Sequence, residues 1–541
     1  NTSREDRNQK KSIKADIIVL GCSLPGIVTA HKLNKKFGDT MNIVVLDLAS
    51  TEKSPSQCNV GFQEDDQDDT EMYSFEANAR QLIDNIARHY LAMFAKDFNI
   101  SLPESIITPD NISAPFYKLF EHSNGKTVPC ANDFHDFDYL NFLERFELNQ
   151  YQTLLDQNMR DLFQTNKIDA ASERLKLHFY DKTTMEQHIC DALLFPTSRA
   201  IMRTMVKLVC GVPANTVSVL FYLHQCYRTS SARNHLGGHN TRFREKLLGY
   251  CRKHIANKLQ QSIAKIIVSA KPIEEIRTYS DKQVILTSMK GETNYICNLL
   301  AMALKPDELD TIEVETDLLS EKESEIARAM KQGKAKKFMI QYDESFWRNQ
   351  GYSGDILSVR GPILWAMQRP KLSTIGKTEQ FPSLVGYLMV RDNKEEDSKE
   401  AVVEQLVKLF GEEAAHPRRY KETKIAEVFV PRCGDYVALR RLTNKVCAKK
   451  LEWSALDIFA EGDVAAALEA GNKAYLHLMS CLHPQAQSYE DIASGEWPTF
   501  FHETPYKQWF AQFNILKGVR LAAFTAVIYF GIRLLQSYRH N

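Results

Sequence analysis

The 541-residue sequence lacks a net charge, clustered cysteines and the spacings of several common catalytic and metal sites. Its 68 basic residues balance its 68 acidic ones, which argues against binding nucleic acid through bulk charge. The eleven cysteines include no C-x-x-C pair, so the sequence favours reduced thiols over a disulfide framework and predicts no metal site. No Ser-His-Asp or Walker spacing is present, which excludes the common hydrolase and nucleotide-triphosphatase signatures.

Long hydrophobic runs are also missing until the end of the chain. The polar residues 1–12 lack the apolar core of a signal peptide. From Val519 to Leu535 the residues are mostly apolar, with Arg520 and Arg533 near the two ends, which is roughly the minimum span for a bilayer. A buried amphipathic helix is one interpretation. We favour a short tail anchor, because the stretch is flanked by basic residues in the manner of outer-mitochondrial anchors.

A pattern typical of dinucleotide binding begins the chain. Residues 15–21, ADIIVLG, predict a buried strand, residues 27–38 a helix, and residues 41–48 a second buried strand. Gly21 and Gly26 flank the turn between the first strand and the helix. Asp47 ends the second strand 21 residues after Gly26, where a ribose-binding acid is expected. The sequence therefore predicts a Rossmann-like α/β domain.

The rest of the chain predicts a mixture of helices and strands without internal repeats. A polar, acidic loop occupies residues 49–72. Hydrophobic periodicity predicts the other elements: a mostly helical section over 75–260, a hairpin over 265–290, a strand at 336–342, an amphipathic helix at 394–414, and a strand, turn and helix over 456–479.

Four segments resemble the flavin-dependent monoamine oxidases. They are the helical stretch 184–226 with its final Gln-Cys, the Gly-Gly at 237–238 followed by Phe243, FWRNQGYSGD at 346–355, and FAEGDVA at 459–465. The resemblance implies a Rossmann-like FAD-binding domain interleaved with an α+β substrate domain, followed by a C-terminal membrane-anchor helix. The implied boundaries are 12–94, 244–325 and 426–480 for the FAD-type domain, 95–243 and 326–425 for the substrate-type domain, 481–512 for a membrane-surface segment, and 513–541 for the anchor.

The same resemblance implies a set of site residues. Lys337 corresponds to the lysine that holds a water against flavin N5, although a lysine at the rim of a strand is an equal interpretation. Cys433 lies 30 residues before Asp463, as does the cysteine that bonds covalently to the flavin. His239 takes the place of an active-site glutamine. The remaining contacts to FAD are implied for Gly21, Ser23, Gly26, Asp47, Gly462 and Asp463.

Several departures from the family pattern affect the same ligand. Ser23 replaces the glycine that lets the backbone approach a pyrophosphate, and Pro25 removes a backbone donor from the start of the helix. Residues 49–72 lack the family's arginines and Gly-Gly, and carry six acids between Glu64 and Glu71. Bulky residues at 244–249 fill a glycine turn. Of the two tyrosines that frame the amine, one is Gly434 here, with Tyr436 as a candidate substitute, and the segment carrying the other is absent.

Three functional hypotheses follow from these features. The favoured one is a catalytically silent relative that has lost FAD and acts as a binding or scaffold protein on the cytosolic side of the outer mitochondrial membrane, with the endoplasmic reticulum as the alternative location. The second is an active FAD-dependent monoamine oxidase that releases an imine and peroxide. The third is a flavoprotein oxidase of another substrate, because residues 139–165 resemble prenylcysteine oxidases. The expected partner is a membrane, a homodimer is left open, and nucleic acid is not expected.

Overall fold

The computed structural model describes fifteen stretches of the chain, and every structural statement here concerns them: residues 11–21, 23–48, 116–163, 171–228, 266–269, 272–280, 283–291, 293–333, 336–368, 381–388, 398–424, 429–442, 451–453, 464–482 and 515–539. The chain divides into two compact units. The first comprises residues 1–107, 243–333 and 426–498, and the second comprises residues 108–242, 334–425 and 499–541.

The strands within these stretches, in chain order, are β1 (Lys11–Leu20), β2 (Ile43–Leu48), β3 (Tyr117–Glu121), β4 (Thr127–Cys130), β5 (Ile266–Ser269), β6 (Ile273–Ser280), β7 (Gln283–Ser288), β8 (Thr293–Met302), β9 (Glu313–Val314), β10 (Lys331–Gln332), β11 (Lys336–Gln341), β12 (Tyr352–Ser358), β13 (Ile363–Gln368), β14 (Ser383–Leu388), β15 (Arg419–Lys424), β16 (Phe429–Val430) and β17 (Leu451–Trp453).

The helices are α1 (Leu24–Phe37), α2 (Phe142–Phe163), α3 (Ala171–Lys182), α4 (Met185–Ala192), α5 (Pro196–Cys210), α6 (Val219–Arg228), α7 (Pro306–Leu309), α8 (Glu321–Arg328), α9 (Phe346–Asn349), α10 (Lys399–Phe410), α11 (Tyr436–Leu442), α12 (Val464–Leu482) and α13 (Ile515–Arg539).

The first unit is built on a mixed sheet with strand order β5-β2-β1-β8-β7-β6-β9, and β17 pairs with the end of β8. Strand β1 lies between β2 and β8 and runs parallel to both. Its residues Ile17 to Leu20 are fully buried, as expected for an apolar run covered on both faces. The predicted β1–α1–β2 unit and the β6–β7 hairpin are confirmed. Strand β1 begins at Lys11, earlier than predicted, because its first residues pair with β8.

Helix α1 packs against α12 through an unusually close contact. A Cβ atom on Gly471 of α12 would lie 2.6 Å from the Pro25 carbonyl oxygen and 2.6 Å from Val28 Cβ. The Thr29 hydroxyl donates hydrogen bonds to the carbonyls of Pro25 (2.8 Å) and Gly471 (3.1 Å). The Lys32 ammonium donates to the Asn472 side chain at 2.5 Å. These contacts fix α1 beside α12, a pairing that the sequence did not predict.

The second unit contains a sheet with strand order β15-β11-β14-β13-β12-β3-β4. Helix α10 packs on this sheet, and the core includes Phe338, Ile340, Val402, Leu406 and Phe410. The predicted strand at 336–342 and the predicted amphipathic helix within 394–414 are confirmed as β11 and α10. Helices α2 to α6 of the unit form the helical section that the sequence predicted.

The β3–β4 hairpin lies inside the section predicted as mostly helical, so that prediction is wrong for residues 117–130. Its turn contains Gly125 at a φ of 83°, a conformation that favours glycine. Strand β3 pairs with β12, which is more than 200 residues away in the chain. A short strand of this kind is stabilised by its sheet neighbours, and local periodicity does not reveal it.

Helix α13 covers the stretch predicted as a membrane anchor. Among the described residues, no helix is both long enough and apolar enough to cross a membrane. The physical reason is that the charge-free run from Leu521 to Ile532 is only about 18 Å long at the helical rise, against about 30 Å for a hydrocarbon core. The sequence prediction of a transmembrane helix is therefore not supported by the structure.

Six cysteines within the described stretches form no disulfide bond: Cys130, Cys190, Cys210, Cys226, Cys297 and Cys433. Cys481, at the end of α12, is disulfide-bonded, and its partner lies outside the described residues. Cysteine spacing did not predict this bond, because disulfide pairing depends on distances in the folded chain.

Candidate functional site

The turn between β1 and α1 has two glycines that the fold requires. Gly21 has a φ of 101°, and a Cβ atom there would lie 2.7 Å from the Ala303 carbonyl oxygen. A Cβ atom on Gly26 would lie 2.6 Å from Ala303 Cβ and 2.8 Å from the Gly21 carbonyl oxygen. Both glycines therefore allow close packing of the turn and α1 against the residue that follows β8.

Ser23 occupies the position between them that faces a pyrophosphate in dinucleotide-binding turns. Its hydroxyl donates a 2.7 Å hydrogen bond to the Ala303 carbonyl. Ser23 is also the N-cap of α1, but its side chain makes no capping bond. Pro25 lies in the first turn of α1 and has no N–H to offer an anion. Gly26 and Leu24 keep their N–H groups at this end of the helix.

Asp47 lies at the end of β2, next to this turn. The Gly21 N–H donates to the carbonyl of Leu46 at 2.8 Å, which places the predicted ribose-binding acid one residue further along. Glu308 of α7 is a second acid in this region. Burial raises the pKa of Glu308, and the charges of Asp307 and Asp47 raise it further, against the opposing effects of the Lys305 backbone N–H and ammonium.

These residues fit a nucleotide diphosphate poorly. The second position of the turn carries a side chain whose hydroxyl is bonded to Ala303, and the first turn of α1 has lost a donor. Two carboxyl groups, those of Asp47 and Glu308, interact at the same edge of the sheet. Asp47 occupies the ribose-binding position of the dinucleotide pattern, so only the Glu308 carboxyl is an addition to that pattern. The turn keeps the shape of a dinucleotide-binding turn but not its usual hydrogen-bond donors.

Lys337, the predicted catalytic lysine, lies in β11 of the second unit. Its backbone pairs with Tyr387 of β14 and Thr423 of β15, and its side chain is outside the described atoms. The neighbouring Lys336 is buried and donates a 2.6 Å hydrogen bond to Glu422. The side-chain ion pair described for this strand is made by Lys336, one residue before the predicted position.

Cys433, the predicted flavin-linked residue, lies in the turn before α11 of the first unit, where it is partly buried and forms no disulfide bond. The turn is held by its neighbour Arg432, which contacts Asp435 at 2.8 Å and Glu325 of α8 at 3.2 Å. Tyr436, considered as a substitute for a cage tyrosine, is fully buried. These contacts give the turn a packing role beside α8.

The other predicted site residues lie outside the described residues. They are His239, Gly462 and Asp463, together with the acidic loop at 49–72 and the bulky turn at 244–249. The structure consequently brings together Gly21, Ser23, Gly26 and Asp47 only. No group of His, Cys, Asp or Glu able to hold a metal ion is found in the part of the chain that the structure describes.

The family-like segment 346–355 forms α9 and the start of β12, and its residues pack within the second unit. The Trp347 indole N–H donates to the Gln368 side chain at 3.0 Å, and Arg348 Nε donates to the same oxygen at 2.7 Å. A Cβ atom on Gly354 would lie 3.0 Å from the Trp347 ring nitrogen. Phe346 and Trp347 are both part of the buried core.

Two residues of the site were not predicted from the sequence. Ala303 and Glu308 follow β8, whose apolar run ends at Lys305-Pro306-Asp307-Glu308. Proline followed by acids after an apolar run is a signal for a helix start, and it marks the end of a strand. The pattern could therefore have located the edge of the sheet, but the pairing of β8 with β1 comes from the tertiary structure alone.

The fold and this turn define an α/β protein whose first unit is of the dinucleotide-binding type. The model of the flavin containing amine oxidoreductase family matches residues 63–442, more than half of the chain. The chain therefore belongs to this family, in agreement with the resemblance found in the sequence.

Named relatives and solved structures agree with this assignment. The chain is 25% identical over 283 residues to a probable flavin-containing monoamine oxidase A of Dictyostelium discoideum, covering 49% of this chain and 60% of the relative. It is 23% identical over 323 residues to the flavin-containing amine oxidase A of Canis lupus familiaris, covering 57% of this chain and 58% of the relative. The chain thus spans about three fifths of the length of these curated relatives.

The similarity to solved structures concerns the fold. Putrescine oxidase bound to putrescine matches with a TM-score of 0.61 and 14% identity, covering 87% of this chain and all of that one. Cyclohexylamine oxidase from Brevibacterium oxydans matches with a TM-score of 0.57 and 15% identity, covering 86% of this chain and 99% of that one. The protein thus has a flavin amine oxidase-like α/β fold with mixed sheets.

Proposed function

We propose that this protein is a non-catalytic member of the amine oxidase family, with weakened or lost FAD binding, that acts as a binding or scaffold protein. One observation carries the proposal. The turn keeps glycine at Gly21 and Gly26, where the chain itself needs it, and has Ser23 at the position that faces the ligand. If the fold is retained and the cofactor is not, glycine is expected to be lost only at the ligand-facing position.

The test is the visible absorbance of the purified full-length protein, before and after acid precipitation. We expect no flavin absorbance in the protein, in the acid supernatant or in the pellet. Added FAD should leave the melting temperature unchanged, because only a ligand that binds the native state stabilises it. A yellow pellet would indicate covalent flavin and support Cys433 as its attachment site, and a yellow supernatant would indicate tightly bound FAD. Either result would contradict the proposal.

A second candidate is an active FAD-dependent amine oxidase. The observation that favours it is Asp47, which lies at the end of β2 beside the turn, as a ribose-binding acid should. In that case Lys337 would act in catalysis and Cys433 would hold the flavin. The decisive measurement is amine-dependent peroxide production by protein that contains flavin. Lys337→Met should abolish it, and Lys334→Met is a control from the same basic run.

We infer that α13 attaches the protein to a membrane such as the mitochondrial outer membrane. It carries seven large apolar side chains that are at least 43% exposed: Val519, Phe524, Val527, Ile528, Tyr529, Phe530 and Ile532. Arg520 and Arg533 give it positive charge, and residues 515–541 contain no acid. These properties suit contact with anionic lipid.

Flotation with vesicles tests this attachment. The full chain should float with vesicles that contain anionic lipid, and a chain truncated after residue 512 should not. Replacement of Phe524 and Phe530 by Ser should weaken flotation, whereas the same replacement of the exposed Phe142, on α2, should have no effect. Equal flotation of the full and truncated chains would exclude α13 as the attachment.

A further inference from the structure

Ala303 contacts several described residues of the segment that joins β1 to α1. Its N–H donates to the Leu20 carbonyl at 2.8 Å, which continues the pairing of β8 with β1. Its carbonyl accepts the Ser23 hydroxyl at 2.7 Å. Its Cβ faces Gly26 so closely that an added Cβ would lie 2.6 Å away. One residue after β8 therefore touches the end of the strand, the middle of the turn and the start of the helix.

The direction of the Ser23 side chain is informative. A serine at an N-cap ordinarily accepts a hydrogen bond from the second or third N–H of its helix. Ser23 has the extended backbone of an N-cap, with φ of −65° and ψ of 157°, but makes no capping bond. Its hydroxyl donates to Ala303, which lies 280 residues away in sequence. The side chain thus joins two distant segments and is not directed at the helix terminus, where an anion would bind.

We propose that the Ser23–Ala303 hydrogen bond is an internal clasp that closes this turn without a ligand, so that the first unit folds independently of FAD. The inference rests on the proposed function, because a turn that the chain itself holds closed does not need a bound cofactor to keep its conformation. The proposal also explains how the turn stays closed without FAD: a hydrogen bond within the chain fixes it.

Contacts on the far side of α1 support the same conclusion. Thr29 bonds to the carbonyls of Pro25 and Gly471, and Lys32 bonds to Asn472. Helix α1 is therefore attached to α12 along one side and to β8 through Ser23 at its first turn.

The experiment compares Ser23→Ala with a matched control in flavin-free protein from cells grown with limiting riboflavin. Thr40→Ser and Thr40→Val serve as controls, because the exposed Thr40 hydroxyl also donates to a backbone carbonyl, that of Phe37. We expect Ser23→Ala to lower the melting temperature by about 1–3 °C, since it leaves a carbonyl without its donor. The Thr40 variants should change it by less than about 1 °C.

Amide hydrogen exchange gives the local readout. The Gly21 N–H is bonded to Leu46 and the Ala303 N–H to Leu20, so both report on closure of the turn. Their exchange should become at least about threefold faster in Ser23→Ala and stay unchanged in the Thr40 variants. Unchanged exchange at both amides would overturn the clasp, whatever the melting temperature does. Failure of the wild-type protein to fold when riboflavin is withheld would overturn it as well.

The two proposals fail in different ways. If the wild-type protein carries flavin when riboflavin is plentiful, the proposed loss of FAD is wrong, and the flavin-free comparison still decides the clasp. If no flavin is found and Ser23→Ala exchanges like the wild type, the proposed function stands and the clasp does not. Ser23→Gly sharpens the result, because it removes the hydroxyl and restores the bare backbone that a pyrophosphate needs. A melting temperature that rises with added FAD only in this variant would support the clasp.

Discussion

Two segments of this chain resemble the same enzyme family, and the structure uses them differently. The turn from Gly21 to Gly26 keeps the residues that pack against Ala303 and changes the one that faces a ligand. The segment from Phe346 to Asp355 packs within the second unit, where the side chains of Trp347 and Arg348 both donate hydrogen bonds to Gln368. The comparison shows that a family resemblance can depend on residues that stabilise the fold. The residues that would contact a ligand can change independently of them.

The largest expected effect is the loss of Trp347 from the core of the second unit. Trp347 is fully buried beside Phe346 and Phe410, and its indole N–H bonds to Gln368. Trp347→Ala should lower the free energy of unfolding by about 3–5 kcal/mol, because it leaves a large cavity. Urea denaturation measures this, with the exposed Phe142→Ala as the control, expected within about 0.5 kcal/mol. A similar decrease in the free energy of unfolding in both variants would contradict a packing role for this segment.

Gly26→Ala applies the same test to the turn in the first unit. The new Cβ would be 2.6 Å from Ala303 Cβ, so α1 must move away from β8. Overpacking of this kind should cost about 1–3 kcal/mol in the free energy of unfolding. Gly518→Ala is the control, because nothing lies within 4 Å of its added Cβ and alanine favours the helix. If Gly26→Ala is as stable as the wild type, the glycine is not required for packing.

The ion pair between the buried Lys336 and the partly buried Glu422 gives a smaller, pH-dependent effect. Burial opposes ionisation of Glu422, but hydrogen bonds from Lys336, Tyr420 and the Ser398 N–H outweigh it and hold the pKa of this carboxyl below its usual value. Glu422→Gln should therefore lower the free energy of unfolding at neutral pH by about 1–2 kcal/mol.

The sign of the pH dependence follows from the depressed pKa. The contribution of Glu422 is complete above the pKa of the unfolded chain and is lost as the pH falls through the pKa of the folded protein. The difference between wild type and Glu422→Gln should thus shrink on acidification. Stability curves at several pH values measure it, with the exposed Glu404→Gln as the control. A difference that is constant down to acid pH would mean that the ion pair does not stabilise the sheet.

The sequence alone predicted much of the fold and four of the six residues described at the candidate site. The β1–α1–β2 unit follows from apolar runs, from Pro25 near the start of α1 and from Gly38 at its end, all of which act over a few residues. The sequence also predicted that Gly21, Ser23, Gly26 and Asp47 lie at one end of the sheet. The hairpin β3–β4 was missed, because its partner β12 is remote in sequence.

What only the tertiary structure decided is the partner of each of these residues. Ser23 is bonded to Ala303, Gly26 faces the same residue, and Gly471 meets α1, all through contacts between remote segments. Strand order brings β8 beside β1, and no local preference specifies that order. Residue types and short-range periodicity are read from the sequence, since they depend on neighbours along the chain. The acceptor of the Ser23 hydroxyl, the Ala303 carbonyl, is a neighbour that only folding supplies.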